Sequence, residues 1–275
     1  MNVPDLHSLL DFRARVVIVT GGSGGLGQGI AQRFAQAGAR VVVHYHASPA
    51  GAQAAVQRIT AAGGQALALS ADLLQAAAAA NLVEQAAASY GRVDVLINNA
   101  GIYPAASLLE MTTAQWDDVI NANLRSAFLC TQAVARQMIR QGQGGAIVNI
   151  TSIEAENPAP DHSHYSAAKA GMLMLTRSAA AELGRCGIRV NAVAPGLIWR
   201  QGLEQDWPEG VARYQAAAPL GRLGRPEDVA DACLFLASAE IGPAQVQFLL
   251  VPEEIARQHR RLTTELGEAG IRLSF

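Results

Sequence analysis

The stretch Val16-Val17-Ile18-Val19-Thr20-Gly21-Gly22-Ser23-Gly24-Gly25-Leu26-Gly27 decides the fold. A β-branched run ends in a glycine-rich turn and passes directly into the helical periodicity of residues 26–37. Glycines at such a turn let the backbone approach a diphosphate, and the helix beyond presents free N–H groups and the positive end of its dipole. A tight structural turn is the competing reading of the glycines alone; a strand before and a helix after favour a nucleotide.

Outward from this unit the same alternation repeats. Apolar runs at 16–20, 40–45, 66–70, 93–98, 146–151 and 188–194 read as strands. Alanine-rich stretches at 26–37, 50–62, 76–89, 114–141, 163–185 and 226–237 read as helices. Strands with continuous apolar character suit a sheet covered on both faces, so the fold class is α/β, a single-domain Rossmann-type doubly wound parallel sheet flanked by helices. Residues 1–14 read as an N-terminal extension, 15–251 as the nucleotide-binding catalytic domain and 252–275 as an atypical tail. The stretch 199–219 breaks the rhythm with Trp199, Trp207, Pro208 and Gly210, and its place after a strand end suggests a mobile, substrate-covering segment.

Composition narrows the partners. Of 275 residues half are hydrophobic, enough for a large core, and the net charge of -2 gives no electrostatic reason to expect nucleic acid or an anionic membrane. Small molecules and further copies of the chain are the expected partners. Cys130, Cys186 and Cys233 are too few and too scattered for a disulfide framework or a CxxC pair, and they read as small buried hydrophobes in a reducing, cytoplasmic compartment. Residues 1–11 contain Asp5 and Asp11 and no long apolar run, unlike a secretory signal or membrane anchor. Twenty of the 21 basic residues are arginine, and Lys169 is the single lysine. Its compact ammonium is not interchangeable with a planar guanidinium.

Thr20-Gly-x-x-x-Gly25-x-Gly27, Asn98-Asn99-Ala100-Gly101, Ser152, Tyr165-x-x-x-Lys169 and Pro195-Gly196 stand in the order and approximate spacing of the short-chain dehydrogenase/reductases, which the chain resembles from about Val16 to Ser238. Tyr165 and Lys169, four residues apart, share a helix face. A nearby ammonium favours phenolate over the ordinary tyrosine pKa of about 10. The resemblance implies an NAD(P)(H)-dependent oxidoreductase that moves hydride between nicotinamide and a carbonyl or secondary alcohol. Within it, Tyr165 is the general acid/base, Lys169 tunes it and holds the nicotinamide ribose, Ser152 polarises the carbonyl, and Asn123 extends a proton relay. Asn121 competes with Asn123, although the following Leu124-Arg125 matches the family pattern better at Asn123.

For the cofactor, the resemblance implies contacts from Gly21, Ser23, Gly25, Leu26 and Gly27 in the loop, and from Asp72 and Leu73 at the adenine. Asn99, Ala100 and Gly101 lie along it, and Pro195, Gly196 and Ile198 flank the nicotinamide. Asp72 is equally readable as a helix N-cap. Asn98 is expected to stabilise the central sheet. The end of the second strand lacks the acid that reads an unmodified ribose. It offers His44, Tyr45, His46 and Ser48 instead, so NADP(H) is favoured over NAD(H), although no arginine supplies a phosphate clamp there.

Tyr103, Glu154, Asn157, His162, His164 and Trp199 flank the catalytic motifs and suit a hydroxylated or small polar carbonyl substrate. His162-x-His164 finds no third ligand at a recognised spacing, so no metal is assigned. The resemblance is nearest to glucose dehydrogenase-like and ketoacyl reductase-like members, and it implies a homo-oligomer. A non-catalytic regulator or scaffold on the same fold is the alternative. It draws on the tail, where the family's Thr-Gly turn and Asp-Gly-Gly ending are missing, as a change of reading frame near Glu240 would produce. Residues 246–251 are expected to attempt a last strand, ended by Pro252, with an amphipathic helix over 253–267.

Overall fold

The computed structural model describes residues 10–238, and the backbone alone of 247–249. Seven strands form one parallel sheet: β1 (Val16–Val19), β2 (Arg40–Tyr45), β3 (Gln65–Ser70), β4 (Val95–Asn98), β5 (Gly145–Ile150), β6 (Ile188–Ala194) and β7 (Gln247–Leu249). Their order is β3-β2-β1-β4-β5-β6-β7. The chain winds outward from β1 in one direction, then returns to start again at β4. The crevice between β1 and β4 is therefore the switch point at which such sheets bind ligands.

Alternation along the strands feeds two cores. Val17 and Val19 face one side, where α1 (Gly25–Gln36), α2 (Pro49–Ala61) and α9 (Pro226–Ala237) bring Ile30, Phe34, Ile59 and Leu234. Val16 and Ile18 face the other, against Leu82 of α3 (Ala76–Tyr90), Val134 and Met138 of α5 (Ser126–Gln141), and Ala179 of α6 (Ser163–Leu183). Burying a side chain such as Phe34 completely is worth about 1.5–3 kcal/mol. Phe12, within the stretch read as an extension, packs edge-on against Phe34 with ring centroids 5.1 Å apart, so the packed domain begins before residue 15.

Two expectations change. The single helix expected over 114–141 is broken: α4 (Thr113–Ile120) passes through a π-helical turn, Asn121–Arg125, before α5. Asn123 Nδ2 donates to the carbonyl of Val119 at 2.9 Å, and Ser126 Oγ donates to that of Ala122 at 2.6 Å, so side chains intrude on the local ladder. The segment after β6, where the strand–helix rhythm breaks, is partly helical. It holds α7 (Leu203–Asp206) and α8 (Pro208–Ala217), closed over a small apolar cluster of Leu203, Val211 and Leu223. Asp72 does not cap α3, whose N-cap is Gln75; it accepts from the backbone N–H of Leu74 at 3.0 Å. The expected strand over 246–251 is present as Gln247–Leu249 beside β6, and the helix expected over 253–267 lies outside the described residues.

Candidate active site

At the C-terminal ends of the strands, the turn after β1 is held by Thr20. Its Oγ1 accepts the backbone N–H groups of Asn99 at 2.9 Å and Ala100 at 3.0 Å, joining the ends of β1 and β4. Asn99 Nδ2 returns hydrogen bonds to the carbonyls of Thr20 and Gly21. Gly21 has φ +63°, a left-handed conformation that disfavours a side chain, and a Cβ at Gly27 would collide with the Gly21 carbonyl and the Asn99 amide. Gly24, the N-cap of α1, supplies no side chain to the helix N–H groups, and a Cβ at Gly24 or Gly25 would meet nothing. Ser23 and Leu26 are partly exposed beside them. Asn98 does support the sheet: its amide donates to Asn149 Oδ1 at 2.8 Å and Thr131 Oγ1 at 3.0 Å.

Beyond β5, Ser152 starts a short 3₁₀ turn, Ile153–Ala155, its Oγ accepting the Glu154 N–H at 3.1 Å. Ser152 also neighbours the Tyr165 hydroxyl and favours its ionised form. One turn along α6 from Tyr165, Lys169 is 4 % exposed. Its Nζ donates to the Ile150 carbonyl at 2.7 Å and lies 5.5 Å from the Tyr165 ring centroid. Burial pushes the Tyr165 hydroxyl up to about 12, opposed by the neighbouring Ser152 and reinforced by the charge of Glu154. Burial also brings Lys169 down to about 8.

Around the hydroxyls stand more of the expected residues. Tyr103 is exposed with its ring 6.3 Å from that of Tyr165, and the His162 ring is 5.9 Å from Tyr165 on another side. His162 Nδ1 bonds the Glu154 carboxylate at 3.1 Å, and Ser166 Oγ donates to the same oxygen at 3.3 Å. Gly101 abuts Asn123 Oδ1, and Asn123 Nδ2 donates to the Ile102 carbonyl at 2.8 Å, so the π-helical turn is fastened to the strand-end loop. Asn121 is partly exposed beside it. Pro195 accepts the Ile153 N–H at 3.1 Å, and Trp199 donates its N–H to Gly224 at 2.7 Å beside the bridge between Ile198 and Gly224, fixing Gly196 and Ile198 near the site.

Other expected residues point elsewhere. His44 is buried: Nδ1 accepts the Gly21 N–H at 3.1 Å and Nε2 faces the Ala71 carbonyl at 3.0 Å, so both nitrogens are engaged and neither is free for a phosphate. Burial lowers its pKa, consistent with a neutral ring. His164 is fully buried with neither ring nitrogen hydrogen-bonded, which removes it from a substrate-facing position. The Leu73 side chain belongs to the core, leaving its backbone at the strand end. Tyr45 and His46 remain partly or largely exposed at the end of β2. Ser166 and Arg200 were not anticipated. Arg200 pairs with Asp206 at 2.7 Å and its charge senses Tyr103, a proximity across loops with no signature in sequence spacing.

The family model described as enoyl-(acyl carrier protein) reductase matches residues 21–251. The chain belongs to the short-chain dehydrogenase/reductase family. Among its relatives, a 3-oxoacyl-[acyl-carrier-protein] reductase of Synechocystis is 41% identical over 82% of this chain and 90% of that protein. An L-rhamnose 1-dehydrogenase (NAD(P)(+)) of Azotobacter vinelandii is 42% identical over the same shares, 82% and 90%. The solved structure of a short-chain type dehydrogenase/reductase from Mycobacterium marinum superimposes with TM-score 0.84 at 32% identity, covering 90% of this chain and 98% of that one. A putative gluconate dehydrogenase from Agrobacterium tumefaciens does so with TM-score 0.83 at 33% identity and the same coverage, 90% and 98%.

As a short-chain dehydrogenase/reductase, the protein is an NAD(P)-dependent oxidoreductase that transfers hydride between nicotinamide and a carbonyl or alcohol carbon. The residues present fit the dinucleotide: uncapped N–H groups of α1 and the open face of Gly24 and Gly25 form a cradle that side chains would fill. Among the described residues, no helix is long and apolar enough to cross a membrane.

Proposed function

We propose that this enzyme interconverts a hydroxylated or small polar carbonyl compound and its alcohol, with Tyr165 as the acid/base. The observation that carries the reading is Tyr165 beside Ser152 and one helical turn from a buried lysine, whose Nζ lies 5.5 Å from the tyrosine ring. Nicotinamide supplies or accepts the hydride. In reduction, Tyr165 gives its proton to the substrate oxygen as that oxygen gains negative charge, and Ser152 donates a hydrogen bond to the same oxygen. Lys169 stabilises the phenolate left behind and holds the nicotinamide ribose. Asn123, anchored by the π-helical turn, orders the relay that returns a proton from solvent. In oxidation the proton movements reverse.

NADP(H) is the favoured cofactor. Tyr45 stands where an acid would repel a 2′-phosphate, His46 is exposed beside it, and Ser48 precedes α2 without using its hydroxyl as a cap. Ser23, Leu26, Asp72, Asn99, Ala100, Pro195, Gly196 and Ile198 line the remaining length of the cofactor, while Tyr103, Glu154, His162 and Trp199 face the substrate. Exposed Phe128 on α5 and Met174 on α6 support a homo-oligomer, which light scattering checks. The deciding experiment is turnover with both cofactors against a panel of carbonyls and alcohols, beside Tyr165→Phe. Turnover surviving in that variant at the wild-type rate removes the assignment.

A further inference from the structure

Glu154, His162 and Ser166 form a polar cluster that the hydride-transfer chemistry does not require. His162 Nδ1 faces both oxygens of Glu154, at 3.2 Å and 3.1 Å, and Ser166 Oγ donates to one of them at 3.3 Å. The side chains are 23% and 15% exposed, so the pair lies within the mouth of the site rather than in bulk solvent. It adjoins the reacting groups in two ways. The His162 ring packs edge-on to Tyr165, and the backbone N–H of Glu154 is fixed by Ser152 Oγ. With Nδ1 committed to the carboxylate, Nε2 remains for a ligand, and the carboxylate keeps lone pairs beyond the two donors it has.

From this we infer that Glu154 and His162 read a hydroxyl group carried by the substrate on a carbon close to the one that exchanges hydride. The inference deepens the proposed function and rests on Tyr165 and Ser152 holding the reacting oxygen. A hydroxyl has one proton and accepting lone pairs: beside an imidazolium it gives the proton to the carboxylate and accepts from Nε2–H, and beside the neutral ring, whose Nδ1–H serves Glu154, it gives the proton to Nε2 or to the carboxylate. An alkyl chain or thioester at the same place offers the carboxylate no further donor and shields it from solvent, leaving a charged acceptor with only His162 and Ser166 to satisfy it. A pocket built this way rejects an analogue lacking the hydroxyl more strongly than an apolar pocket rejects a missing methylene. The substrate class is accordingly the α-hydroxy carbonyls and polyols, sugars included, rather than long-chain ketoacyl thioesters.

The test compares kcat/KM for NADPH-dependent reduction of hydroxyacetone and of acetone, with 2,3-butanedione as a general carbonyl probe, in the wild type, Glu154→Gln and His162→Phe. The phenylalanine keeps a ring against Tyr165 and removes the nitrogens. NADPH fluorescence titration confirms that each variant remains folded. The expected result is a wild-type preference for hydroxyacetone that falls about tenfold or more in each variant. A preference that survives in both variants, or a wild type that reduces butanedione but treats the two ketones alike, overturns the hydroxyl reader and leaves the oxidoreductase reading standing. A wild type that binds NADPH and reduces none of the three overturns both.

Discussion

Lys169 Nζ donates to the carbonyl of Ile150 at 2.7 Å, tying the helix that carries Tyr165 to the end of the strand that precedes Ser152. Lys169 is almost fully buried, and its ammonium is a compact donor that a broad planar guanidinium does not reproduce. Lys169→Arg keeps the charge and is expected to lose at least about a hundredfold in kcat/KM. Tyr165→Phe is expected to lose as much while binding cofactor nearly as the wild type does. Steady-state kinetics beside fluorescence titration separates the two effects, and wild-type turnover in Lys169→Arg would show that charge alone suffices.

Asn123 holds the carbonyls of Ile102 and Val119 while fully buried. Replacing it by alanine leaves both without that donor, a loss of about 1–3 kcal/mol, and removes the reason for the π-helical turn. Thermal unfolding of Asn123→Ala should show the lowered stability, and its kcat should fall further than its affinity for NADPH. An unchanged Tm would mean that water replaces the amide without cost.

His44 makes stability depend on pH. Burial lowers its folded pKa below the ordinary value of about 6.5, so below that pH the unfolded chain binds a proton that the folded chain resists. The stabilisation is complete above about pH 6.5 and is lost as pH falls toward the lowered pKa, with a slope approaching 1.4 kcal/mol per pH unit, roughly one proton. Chemical denaturation from pH 8 to pH 5 should show this fall in the wild type and a flatter one in His44→Gln. Parallel profiles would assign the acid sensitivity to other groups.

NADPH is expected to bind more tightly than NADH, with the difference carried by His46 and Ser48 rather than by His44. Added salt should narrow the gap, because the site is exposed and screened. Ser48→Ala combined with His46→Ala should narrow it too. A fluorescence titration in which NADH binds as tightly as NADPH reverses the assignment.

The sequence by itself determined the order of strands and helices and the glycine turn, because β-branched runs, helical periodicity and glycine act over a few neighbouring residues. The Tyr165 and Lys169 pair was legible for the same reason: four positions along a helix return to one face. Tertiary structure decided where polar side chains turn. Asn123 breaks a continuous helical pattern only because Ile102, far away in sequence, supplies an acceptor at 2.8 Å. His44 sits in a stretch that reads as a phosphate site, yet the turn after β1 presses the Gly21 N–H onto its ring and encloses it. His162 and His164 look like a pair, but His164 is buried in α6 while His162, at the N-cap, meets Glu154 across a loop. Local propensity fixes the course of the backbone; the partner of a buried donor or charge is chosen by whatever the fold brings within about 3 Å of it.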